Sequence, residues 1–377
     1  MPKLSIAIPT KNRYDTLLPL LTCLLSVFDG KDIEFVVQDN SDDNSRIADD
    51  NILSSPQIKY FYKKESISVV DNCDSAVSHC SGTYVTMIGD DDCVAKEILD
   101  VVDIMIKHDI ESCGCDYSLY RWLLSSEGQN YFEYDSKKKI VKHINVGKEL
   151  TRQLKRGIQN KDYLPCVYHG ILLKRKLDEL KALTGTYFPG PSPDMANCVA
   201  LSCLVNKHIH ISLPVIIDGY SKSSTGHLTE KKEHKGSLKD KAFLPKDTIE
   251  KWNPKIPQLW LPGTIWAQSA TCALKALNSD YISKLNYCSI YLKMAILYPF
   301  YKSTATEYLK KYCNFFQVIY NCFKIAAIVF TKKLFGKKRR MAIKEKCSLM
   351  DAVNYNSSIF NENDGLGKLE KKIRLLF

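Results

Sequence analysis

The sequence predicts an α/β fold: a mostly parallel sheet flanked by helices, continued by a helical C-terminal extension. Three observations predict it. Through the first ninety residues, short apolar runs alternate with segments whose apolar residues recur at helical spacing, and alternation at such short range favours parallel strands joined by crossover helices. Two of these runs end in acidic residues, and ligands in such sheets bind beyond the carboxyl ends of the strands. Beyond Pro254 the periodicity is mostly helical as far as about Phe335.

The first strand is Leu4 to Ile8, stopped by Pro9. Tyr14 to Phe28 is a helix, with Leu17, Leu18, Leu21, Leu24, Leu25 and Phe28 at helical spacing and Asp29-Gly30 to end it. Ile33 to Val37 is a buried strand running into the polar turn Asp39 to Asp43. A polar helix to about Leu53, a strand at Ile58 to Tyr62, a helix at Ile67 to Cys80 and a strand at Tyr84 to Ile88 follow. Strand-like pieces at Leu119 to Leu124 and Tyr131 to Tyr134 precede helices at Val146 to Lys155 and Leu172 to Ala182. The Gly- and Pro-dense stretch from Thr184 to Pro193 leads to a helix opened by Asp194, and Ile209 to Ile217 reads as extended. Residues 219–241 read as a polar, basic loop, and the last forty residues as loosely packed.

A chain of 377 residues suits one large α/β domain plus an appendage. The divisions fall after residue 220 and after a linker at 221–255, leaving a helical, basic region at 256–377. The net charge of +11 is uneven, with Asp concentrated in the first half and Lys and Arg in the C-terminal third. Fourteen cysteines without a regular framework, and no export signal in the short apolar run Leu4 to Pro9, point to reduced thiols in the cytosol. Phe315 to Phe330 contains Gln317, Asn321 and Lys324 and is too short to span a bilayer. Basic residues mixed with apolar ones from Val318 to Arg340 suit either an anionic membrane surface or a core helix with a solvated tail.

The chemistry concentrates in Asp90-Asp91-Asp92. Three adjacent carboxylates repel one another unless something positive lies among them, and at the end of a buried strand a divalent cation, Mn²⁺ or Mg²⁺, meets that need; a solvated acidic turn is the alternative. The segment Asp39 to Ser45 is not a calcium loop, because Asn44 stands where an EF-hand needs glycine and a strand enters where it needs a helix. Asp39 is instead placed to accept from a base N–H.

Ile8-Pro-Thr-Lys-Asn-Arg13, Val36-Val-Gln-Asp-Asn-Ser41 and Gly82-Thr-Tyr-Val-Thr-Met-Ile-Gly-Asp-Asp-Asp92 together resemble the ordered signature of glycosyltransferase family 2. That family has a GT-A-type, Rossmann-like fold and is usually inverting. The resemblance covers roughly the first 220 residues and implies a nucleotide-binding half at 1–116 and an acceptor half at 117–220. It implies that Pro9, Thr10 and Arg13 line the nucleotide pocket, that Asp39 binds the base (commonly uracil), and that Asp90 faces the ribose or donor sugar. Asp91 matches the metal-binding aspartate of the DXD motif, with Asp92 a second ligand or an orienter. Gly89 and Gln38 stand where many members carry Asp. The family places its base at the start of a helix across from the donor, and Asp194 in Ser192-Pro-Asp-Met195 fits; a helix N-terminal Asp favoured by the dipole is the alternative. His169 and His227 are further candidates, for the acceptor or donor site and for the metal shell or diphosphate.

The resemblance therefore implies a metal-dependent transferase acting on a nucleotide-sugar donor, expected to be a UDP-sugar. Its acceptor is expected to be a glycan or a lipid-linked acceptor of bacterial surface polysaccharide, at the cytoplasmic, inner face of the membrane. A nucleotidyltransferase would carry a glycine-rich phosphate loop after the first strand, and Pro9 to Arg13 has none. A nucleic-acid-binding protein would interleave basic and aromatic residues at the site, whereas carboxylates occupy it here.

Overall fold

The computed structural model describes residues 1–122, 130–135, 141–221, 235–335, 341–361 and 365–376. Strands β1 (Leu4–Thr10), β2 (Ile33–Asp39), β3 (Ile58–Tyr62) and β4 (Tyr84–Met87) are parallel, in the order β4-β1-β2-β3. Helices α1 (Tyr14–Phe28), α2 (Ser45–Ala48) and α3 (Val69–Ser78) connect them. The polar segment read as one helix to Leu53 is instead the single turn α2 followed by a 3₁₀ turn at Asn51–Ser54, since it offers Ile47 as its one buried residue.

After β5 (Cys93–Val94) and α4 (Ile98–Lys107) the sheet becomes mixed. Strands β6 (Ser112–Arg121), β7 (Tyr131–Asp135), β8 (Val141–His143) and, beyond α5 (Val146–Leu154), β9 (Gly170–Leu173) include both directions. β9 is antiparallel to β4 on one side and to β6 on the other. The sequence reading assigned Leu172 to a helix, but the helix α6 begins at Lys174. Four residues between two strands, three of them buried, carry no period that separates strand from helix. Past α7 (Pro193–Leu201), β10 (His208–Tyr220) runs parallel to β6 and is longer than the extended segment read from the sequence. The mostly parallel sheet expected is realised in β1 to β4 and the β6–β10 pair, while the other pairings are antiparallel.

Side chains alternate across the sheet as a pleat requires. Leu4, Ile6 and Ile8 of β1 face one core with Phe35 and Val37, while Ala7, Val36, Val85 and Met87 face the other. The second core is completed by α3, α5, α6 and α7 and by α8 (Pro262–Ala276) and α9 (Tyr287–Leu297). Helices α10 (Lys302–Tyr312) and α11 (Phe315–Phe335) follow.

The described residues among the last forty are not loose. β11 (Met341–Glu345) pairs antiparallel with β7, and α12 (Leu349–Asn361) and α13 (Gly365–Arg374) return to the first core. They bury Ala352, Val353, Phe360, Leu369 and Ile373 there, and Asn356 binds Pro214 O and Ser118 Oγ. Their charge is confined to the solvent face, which is why composition alone reads them as unpacked. Among the described residues all cysteines are unbridged, and Cys322 is the exposed one.

Candidate active site

Parallel strands deliver their carboxyl ends to one edge, and antiparallel β9 begins where β4 ends. Thr10 closes β1, Asp39 closes β2, Asp90 to Asp92 follow β4, Asp218 to Tyr220 finish β10, and Ser221 follows it. His169 enters the same edge just before β9, in the left-handed region at φ 63.

The three aspartates have separate partners. Asp90 accepts Thr10 Oγ1 at 2.6 Å and lies 2.9 Å from Arg13 Nη1. Asp91 Oδ2 lies 2.5 Å from Arg13 Nη2 and accepts Ser221 Oγ at 2.6 Å. Asp92 accepts the backbone N–H of Gly89 (2.6 Å) and of Gly219 (2.7 Å), and its Oδ2 is 2.7 Å from His169 Nε2. Burial, with Asp91 and Asp92 nearby, pushes Asp90 up to about 7 despite Arg13. Burial and the Asp92 charge raise Asp91 as well. Burial acts against Asp92 too, but His169 and the two N–H groups outweigh it and hold this carboxyl below its usual range.

The close approach of β10 to the triplet requires glycine at 219. A Cβ there would stand 1.8 Å from Asp91 O, which β10 cannot avoid without moving. Gly219→Ala is expected to displace the loop, destabilise the protein by about 1–3 kcal/mol as overpacking does, and lower donor affinity. A thermal midpoint and donor affinity equal to wild type would contradict this.

Asp92, His169 and Asp218 offer ligand atoms that all lie within 4.8 Å of one another. Burial, with Asp92 and Asp91 adjacent, pushes Asp218 up to about 6 even though His169 opposes it. Tyr168 stacks on His169 with ring centroids 3.9 Å apart, fixing the imidazole. The sequence reading paired Asp91 with Asp92 as ligands. In the structure Asp91 is bonded to Arg13 and Ser221, and the donor atoms grouped together are those of Asp92, His169 and Asp218, the last of which that reading passed over. Asp218 obeyed the same rule that selected Asp39, a carboxylate at the end of a predicted strand.

Asp39 lies at the expected edge but is fully buried. Its Oδ2 accepts Tyr14 OH at 2.6 Å and Tyr60 OH at 2.8 Å, and its Oδ1 accepts Ser41 N at 2.8 Å. Asp39→Ala is expected to cost about 1–3 kcal/mol for each phenol left unpaired, so chemical denaturation will show a clear loss of stability. Unchanged stability would show that the phenols find other partners. Pro9 lies beyond Ala7, the last β1 residue paired with β4, and is partly buried at the same edge.

Asp194 sits in the first turn of α7, whose first residue is Pro193. Its Oδ1 accepts Ser192 Oγ at 2.5 Å and Met195 N at 2.8 Å, and its Oδ2 lies 3.6 Å from Lys161 Nζ. Lys161, absent from the sequence reading, lies 5.0 Å from the Tyr168 ring centroid, and Tyr168 OH is 3.5 Å from Asp92 Oδ2. This line of contacts joins Asp194 to the acidic cluster. His227 falls outside the described residues.

Residues 5–179 match the family model described as Glycosyl transferase family 2. No curated protein sequence matches the chain significantly. Among solved structures, TarS of S. aureus is 17% identical with a TM-score of 0.44, over 58% of this chain and 37% of that one. A TarS fragment in complex with UDP-GlcNAc is 15% identical with a TM-score of 0.49, over 85% and 79%. The mannosyltransferase PcManGT from Pyrobaculum calidifontis, in complex with GDP-Man and Mn²⁺, is 13% identical with a TM-score of 0.40, over 89% and 88%. The match thus spans 37% of the full TarS chain, and at TM-scores below 0.5 neither ligand nor activity carries over. With Thr10, Arg13, Asp39 and the Asp90–Asp92 triplet all inside the matched span, residues 5–179 are a glycosyltransferase family 2 domain.

Proposed function

We propose that the chain is a metal-dependent, inverting glycosyltransferase that moves a sugar from a nucleoside-diphosphate sugar, by preference a UDP-sugar, to a hydroxyl of a glycan or lipid-linked acceptor in bacterial surface polysaccharide synthesis. The observation that carries it is the crowd of carboxylates at the strand ends of a family 2 domain: Asp90, Asp91, Asp92 and Asp218, with Arg13 and His169 as the cationic groups bonded to three of them. The acceptor class rests on the family alone.

The residues fit a divalent cation. Burial keeps Asp90 and Asp218 reluctant to ionise, a strain that an added positive charge relieves. Asp92, His169 and Asp218 are the residues to hold it, and an imidazole among oxygen donors favours Mn²⁺ over Mg²⁺. When bound, such a cation stabilises charge on the departing diphosphate. Arg13, held by Asp90 and Asp91, keeps a guanidinium edge beside the same space for phosphate oxygens. Thr10 fixes the Asp90 carboxylate that faces the ribose or donor sugar.

Inversion needs a base opposite the nucleotide. Asp194 is suited to it, because Ser192 and Met195 N anchor Oδ1 and leave Oδ2 to take the acceptor proton. Lys161 Nζ, 3.6 Å from Oδ2, holds that carboxylate oxygen in place beside the site.

The test is a screen of UDP-, GDP- and dTDP-sugars for nucleoside-diphosphate release with Mn²⁺, Mg²⁺ or chelator. Release from one donor class, abolished by chelator, is expected. Equal release in chelator would remove the metal from the mechanism, and the absence of binding or hydrolysis with every donor would remove the nucleotide-sugar.

A further inference from the structure

Helix α11 is built inside out. Of its 21 residues, the side chain it buries among those described is the polar Asn321. Asn321 Oδ1 accepts Asn286 Nδ2 at 2.8 Å, its own amide donates to Gln317 O at 2.8 Å, and Lys324 Nζ reaches Lys155 O at 3.4 Å. The opposite face carries Phe316, Phe323 and Phe330, which are 80%, 73% and 63% exposed. Spaced by seven residues, they share one face, and Phe315, Tyr320 and Val329 are exposed as well. A surface helix of a water-soluble domain shows the reverse order, apolar inward and polar outward. The apolar surface continues into an open groove between α9 and α11 lined by Leu292, Ile296, Ile325, Val329 and Phe330.

The charge along this stretch of sequence has one sign. From Tyr308 to Lys344 the sequence contains no Asp or Glu and ten Lys or Arg residues. Lys310 and Lys311 precede α11, and Lys332 and Lys333 belong to its last turns. Contiguous exposed apolar area of this kind marks a contact surface.

We propose that the outer face of α11 lies in the headgroup region of a membrane rich in anionic lipid, its phenylalanines inserted and its lysines at the phosphates. Among the described residues no helix is long and apolar enough to cross a membrane, so α11 lies along the surface. A second copy of the chain is the poorer occupant, because a two-fold contact would bring this acid-free, basic segment against itself. The proposal is independent of the donor and metal assignments.

The test uses the full chain and co-sedimentation with vesicles of equal parts phosphatidylcholine and phosphatidylglycerol, against vesicles of phosphatidylcholine alone. The wild type is expected to bind the anionic vesicles, to weaken with added salt, and to bind the neutral ones poorly. The variant Phe316→Ser, Phe323→Ser, Phe330→Ser is expected to bind about 100-fold more weakly or worse, with an unchanged thermal midpoint because the replaced rings are exposed. Failure of the wild type to bind anionic vesicles, or equal binding by the triple variant, overturns the proposal. A wild-type dimer that the triple variant dissociates, without vesicle affinity in either, would assign the face to a second copy instead.

Discussion

Asp92→Asn is expected to lower sugar transfer by about 10²–10³ or more, the loss that follows removal of a fixed electrostatic group from a developing negative charge. The substitution keeps the size of the side chain and an oxygen for the Gly219 N–H, so most of the loop is retained. What disappears is the charge that holds His169 and completes the set with Asp218. The variant should therefore lose the thermal stabilisation that Mn²⁺ confers on the wild type. Asp91→Asn makes the contrast. Asp91 is bonded to Arg13 and Ser221, so that variant should keep the Mn²⁺ stabilisation and lose donor affinity. If Asp91→Asn loses the cation response as well, Asp91 is a ligand as the DXD resemblance implied.

The sequence made the early elements legible because they are amphipathic over many residues. Tyr14 to Phe28 was readable to its ends, with Leu17, Leu21 and Leu24 all buried. β9 was not, because Gly170 to Leu173 is too short for a period and buried between two strands. The C-terminal helices were hidden by charge: Leu369 and Ile373 sit at helical spacing among lysines, and only the fold shows that they close the first core. In the site, placement was legible and partners were not. The residue type and the strand end put Asp39 and the triplet at the right edge. Nothing in the sequence says that Tyr14 and Tyr60 occupy Asp39, or that a β10 glycine brings Asp218 to Asp92 and His169. The same is true of α11, whose Asn321 and Lys324 read as breaks in a membrane segment and are instead its inward contacts.

Asp194→Asn is the variant that most directly separates binding from chemistry. The side chain stands at the mouth of α7, anchored through Oδ1 by Ser192 and Met195 N, with Oδ2 turned toward Lys161. Asparagine keeps an oxygen for both Oδ1 contacts, so the helix start should hold, and the amide that replaces Oδ2 cannot take a proton. The residues proposed for donor and cation, Arg13, Asp92, His169 and Asp218, are not touched. Transfer is expected to fall by about 10²–10⁴, the usual worth of a general base, with donor affinity and the Mn²⁺-dependent thermal shift unchanged. Asp162, beside Lys161 in the sequence, is bonded to Arg152 and Gln153 at 2.8 and 2.7 Å and is a poor substitute. Full activity would place the base elsewhere, and loss of donor binding together with activity would reduce Asp194 to a cap of the helix.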